Sequence, residues 1–241
     1  MTLSRSLLAA ALACALLPSV ASAAEDIEKV MGSITAHAGE RYGSLETVNG
    51  STHVEAKAST GNIETVNGSV DLAAGAQVGN VETVNGGIKA DVDVNAGSLE
   101  TVNGAIRVEG RNRVGGIETV NGSIFAGRGS DVTRDVETVN GAIGLVDTDV
   151  GGSVSTVNGD VTIGIDSHVR GGLTIEKPRG GGMGITFKPR VPRIVIGPGA
   201  VVDGPLVFKR EVKLYVHKTA RIGAVTGATA IAFDGPTAPK D

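Results

Sequence analysis

Six glutamates recur along this chain at a near-constant interval: Glu46, Glu64, Glu82, Glu100, Glu118 and Glu137, spaced by 18, 18, 18, 18 and 19 residues. If folding brings them to one face, the resulting carboxylate row can recruit cations such as calcium, discourage lateral sheet association, or simply be solvated. The glycine-rich nonapeptide that binds calcium in other β-rolls is missing, so a solvated face is expected and no metal site is assigned. Hydrolysis or lysis of polysaccharide would need acids or bases that break a repeat, usually with aromatic platforms for sugar rings. Here the acids keep register, and His37, His53, His168 and His217 fall outside the pentapeptide that these glutamates head and read as exposed loop residues. The chain has no Trp. No phosphate loop, zinc spacing or nucleophile motif is present. The expectation is a protein with neither catalysis nor cofactor.

The glutamates head the pentapeptide Glu-Thr-Val-Asn-Gly. A seventh copy, Ser155–Gly159, and an eroded one, Glu28–Gly32, extend the series to eight units. Columns around it share the period. Just before it stand Ile27, Leu45, Ile63, Val81, Leu99, Ile117, Val136 and Val154. Six and eight residues after its first position stand pairs such as Val70 and Leu72, or Ile106 and Val108, alternating with variable residues. That alternation is the signature of a strand with one buried face. Fixed glycines and abundant β-branched residues disfavour helix. An 18-residue unit with two or three short strands fits one turn of an all-β, parallel β-solenoid, whose handedness the period leaves open. Eight coils at about 4.8 Å each would span roughly 40 Å.

In such a stack, like residues lie above one another. Asn49, Asn67, Asn85, Asn103, Asn121, Asn140 and Asn158 then form a ladder of side-chain amides, read as corner stabilisation. The glycine after each is expected to supply a left-handed corner. The threonines from Thr47 to Thr156 invite comparison with flat ice-binding rows. Strict alternation turns them inward, however, and a charged column beside them fits ice poorly. Val48, Val66, Val84, Val102, Val120, Val139 and Val157 have two readings. Alternation makes them an outward apolar stripe and a contact face; a bend at Thr makes them core.

Arg5, the apolar run Leu7–Leu17 and Ala21-Ser22-Ala23 read as a signal peptide over residues 1–23, which implies export to periplasm or cell surface. The single cysteine, Cys14, lies in that run and would be lost with it, leaving packing and backbone bonds to stabilise the rod. The regular repeat occupies residues 24–172. A loop rich in Gly, Pro and cations follows over 173–193, then irregular coils over 194–233 and a tail over 234–241 expected to be disordered. Residues 24–172 hold 10 Lys and Arg against 21 Asp and Glu, a net −11, whereas residues 173–241 hold 11 against 5, a net +6. A rod so divided could associate with itself, head to tail or laterally, or touch envelope polysaccharide. No specific nucleic-acid partner is expected.

The repeated Glu-Thr-Val-Asn-Gly-x-Ile units behind a signal peptide resemble a bacterial family described as adhesins, of unknown function and expected to be β-solenoids. The likeness covers roughly residues 27–165. The stretch Ile194–Ala228 is similar to bactofilins, polymer-forming β-helical proteins. These resemblances imply architecture, and a scaffold or adhesive role in the cell envelope. The alternative is a periplasmic β-helix that binds or cleaves polysaccharide.

Overall fold

The computed structural model describes residues 24–178 and 190–240; the proposed signal peptide and most of the basic loop lie outside them. The described chain is all β, and every strand pairing is parallel. Each coil has three sides. The first carries strands such as Leu45–Asn49, Ile63–Asn67 and Val81–Asn85. The second carries three-residue strands such as Thr52–Val54 and Val70–Leu72. The third is short, as in Gln77–Val78 and Ser130–Val132, and it fuses with the first side in Asn95–Asn103 and Arg113–Asn121. The second side stacks into an 11-stranded sheet, so the solenoid has about eleven coils and stands roughly 50 Å tall.

Register is set by the repeat. Leu45 pairs with Ile63, Glu46 with Glu64, Thr47 with Thr65 and Asn49 with Asn67, each one coil above its equivalent. A one-residue slip would exchange the buried and exposed sets. The core is one continuous apolar column: Leu45, Ile63, Val81, Leu99, Ile117, Val136 and Val154 all lie within 1% of full burial. Aliphatic side chains suffice because each coil encloses only a narrow interior. The coils after residue 193 continue the same stack, Ile194 on Val161 and Leu214 on Ile194.

Four expectations change. The corner glycines after Asn do not adopt left-handed backbone. Positive φ recurs instead at the corner between the second and third sides, at Gly39, Lys57, Gly75, Asp93, Arg111, Gly129, Asp147, Asp166 and Gly199; elsewhere among the described residues it occurs at Gly32 and Gly227, near the two ends of the stack. The loop begins later than composition suggested, since Leu173–Ile175 is a strand on the first side and Arg193–Ile196 one on the second. The tail is anchored: Arg193 donates to the Pro239 carbonyl at 2.6 Å, and Ala238 packs on Val195, Tyr215 and Phe233. The histidines are not all loop residues. His53, His168 and His217 sit in strands, and His217 is buried with its ring edge-on to Phe233.

Candidate interaction face

The pentapeptide divides its five residues among separate tasks at one edge of the coil. Threonine points inward, and its hydroxyl donates to the corner glycine carbonyl of the coil below. Thr65 reaches Gly50 at 3.1 Å, Thr83 reaches Gly68 at 3.0 Å, and Thr101 reaches Gly86 at 2.9 Å. These threonines are 1–5% exposed, which removes any ice-matching row. Thr156 is the exception, with a buried hydroxyl that lacks a partner.

Those corner carbonyls also explain the glycines. A Cβ at Gly68, Gly86, Gly104 or Gly122 would collide with the carbonyl oxygen of the glycine one coil below. Close coil-to-coil approach demands glycine here, not backbone handedness.

The asparagines form an unbroken column at the corner. Each Nδ2 donates to the Oδ1 one coil below, from Asn67 onto Asn49 up to Asn158 onto Asn140, at 2.9–3.0 Å. All the amides point one way. The unused acceptor at the top, Asn158 Oδ1, takes Arg210 Nη1 at 2.7 Å, and the same guanidinium reaches the Val157 and Arg190 carbonyls. Arg210 bridges the corner from which the basic loop leaves, and Asp160 pins that loop's far end through Arg190 and the Arg193 amide. No signal in the sequence marked Arg210 as the ladder's cap, because its partners lie 52 and 53 residues away. Asn103→Ala removes two rungs at an exposed site and should cost about 1 kcal/mol. Urea unfolding of parent and variant measures it.

Beside the ladder, the valines point outward, which resolves their two readings. Val48, Val66, Val84, Val102 and Val139 are 40–42% exposed, while Val120 and Val157 are half-buried. With the glutamates they line a shallow groove of about 600 Å³ that follows the stack from Val30 to Val120. None of the six column glutamates, Glu46, Glu64, Glu82, Glu100, Glu118 and Glu137, has a hydrogen bond or ion pair among the described residues. Partial burial and then repulsion from Glu100 and Glu64 raise the Glu82 carboxyl above its ordinary 4.5; burial and then Glu100 and Glu137 raise that of Glu118.

This yields a signed expectation. Just above pH 4.5 the native state holds more protons at these sites than the unfolded chain, so stability declines as pH rises through that window. Asp93 acts oppositely, since its hydrogen bond to Arg111 lowers its carboxyl. The informative comparison is therefore parent against Glu82→Gln/Glu118→Gln, whose melting temperature should lose part of that decline. The effect is small, roughly 0.5 kcal/mol or less, because the row is exposed and screened.

The rest of the described surface offers no comparable constellation. His168 lies 2.6 Å from Asp203 and 4.0 Å from Asp149, and no group of three His, Cys, Asp or Glu side chains among the described residues is arranged to hold a metal ion. Comparison of this chain with protein-family models, with curated proteins and with solved structures returned no match to any of them.

Proposed function

We propose that this chain is an exported, non-catalytic scaffold of the cell envelope whose first side is a contact face of adhesive type. The observation that carries the reading is the groove itself, in which Glu, Val and Asn repeat in register over successive coils. Exposed apolar residues gathered in one row and rimmed by polar ones mark contact sites, and here five half-exposed valines stand between carboxylates and amides. The fold is consistent with a structural role, because a solenoid holds repeated side chains at fixed spacing along a stiff axis. The division of charge supports placement in the envelope, with a basic end suited to anionic polymers and an acidic flank left free.

The reading is tested by fractionating cells that express the full chain and a Val84→Asp/Val102→Asp variant whose folding is checked by circular dichroism. The parent should partition with the envelope, and the variant should fall several-fold toward the soluble fraction. Equal partitioning of the two would overturn the contact face. Release of reducing ends from envelope polysaccharide by the purified protein would replace the scaffold with an enzyme.

A further inference from the structure

Resting on the reading of the first side as a contact face, we propose that its partner is a second copy of this chain. The two copies pack side by side, pointing the same way, about a two-fold axis that runs along the valine row.

Pitch selects the partner. The valine methyls repeat at the coil spacing of about 4.8 Å. An extended peptide laid along the row offers same-face side chains roughly 6.7 Å apart, and a helix offers turns of 5.4 Å. Neither stays in step over the row of five exposed valines. Another stacked β coil matches them rung for rung, as in the dry interfaces between stacked sheets.

Charge selects the orientation. Antiparallel facing would set the glutamate row of one copy on that of the other, six like charges against six. The parallel two-fold instead sets each glutamate opposite the partner's asparagine. Every Asn in the column spends one amide proton on the coil below and keeps a second. The glutamates opposite have acceptors to spare. In this arrangement the two acidic rows flank the valines about 14 Å apart, beyond the screening length of roughly 8–10 Å. Arg210, which donates to the Val157 carbonyl, marks the upper end of the paired stretch.

Area sets the strength. Six rungs by one five-residue strand bury roughly 800 Å² over both copies, below the 1,200 Å² of ordinary stable complexes. The pair is weak, and it accumulates where copies are concentrated on a surface.

Cysteine cross-linking tests the geometry directly, because the chain's only cysteine is Cys14. In a Cys14→Ser background, a two-fold along the rod brings every valine onto its own equivalent. Val66→Cys, Val102→Cys and Val139→Cys should each give covalent dimers on mild oxidation, to similar extents and several-fold above Lys89→Cys on the second side. Cross-linking confined to one of the three would indicate antiparallel facing and overturn the proposal, as would yields at the Lys89→Cys level throughout. The envelope partition of Val84→Asp/Val102→Asp separates the two ideas. Loss of partition without cross-links keeps the contact face and removes the second copy; cross-links without loss keep the pair and remove its role in the envelope.

Discussion

Gly104→Ala is expected to destabilise the protein by about 3 kcal/mol, although it adds one methyl group at a corner that reads as an ordinary turn. The new Cβ would meet the Gly86 carbonyl oxygen and carbon and the Gly87 nitrogen, all backbone. A flexible side chain could swing aside; a backbone group held in a ladder cannot. That carbonyl also accepts the Thr101 hydroxyl, so pushing it away breaks a part-buried hydrogen bond as well. Overpacking in a close-packed interior costs about 1–3 kcal/mol, and the rigidity of this corner places the change at the upper end. Gly144→Ala is the control. Its Cβ would make only an ordinary contact with the Phe125 ring, at 3.5 Å, so its effect should stay within about 0.5 kcal/mol. Urea midpoints for the two variants separate steric demand from a general cost of adding a methyl.

Leu99→Ala should cost a similar amount for the opposite reason. Leu99 is fully buried, and it stacks between Val81 below and Ile117 above. Truncation removes contacts with both neighbouring coils, and a narrow solenoid has little freedom to collapse into the gap. Leucine-to-alanine changes in rigid cores cost about 3–5 kcal/mol. Because each coil touches only the coils beside it, the damage should be local. Hydrogen exchange is expected to quicken in residues 81–121 well before the coils at either end. Uniform loss of protection along the chain would mean that the stack unfolds as one block.

Much of this architecture was legible because the 18-residue period carries its own register. Once Glu46, Glu64 and Glu82 are equivalent, a parallel stack follows, and the buried columns follow from alternation. The outward turn of the valines was not decidable, because it depends on whether the chain bends at Thr47 or at Asn49. The glycine corner was read correctly in position but wrongly in cause. Asn-Gly is a turn signal for a single chain, whereas the constraint here comes from a carbonyl one coil away. The true left-handed corner leaves no uniform glycine signal in the sequence, because Lys57, Asp93, Arg111, Asp147 and Asp166 occupy it in five coils at a cost of roughly 1 kcal/mol each. The burial of His217 and the anchoring of the tail leave no periodic mark in the sequence, for a shared reason. Their packing, against Phe233 and against the column of Val195 and Tyr215, arises between coils that no longer share a repeat.

The irregular spacings all resolve at corners. The residue added between Glu118 and Glu137 is absorbed after Val132, since Val114 still pairs with Val132 while Ile117 pairs with Val136. A second is absorbed after Ile163, and the basic loop leaves between Ile175 and Arg193 and returns in step, Ile196 on Ile163. Residue count and physical height are thus independent variables in this molecule. Duplicating a whole module raises it by one fixed step, whereas inserting residues at a bend leaves its stature unchanged. Evolution, or an engineer, can lengthen the column and decorate it in separate operations.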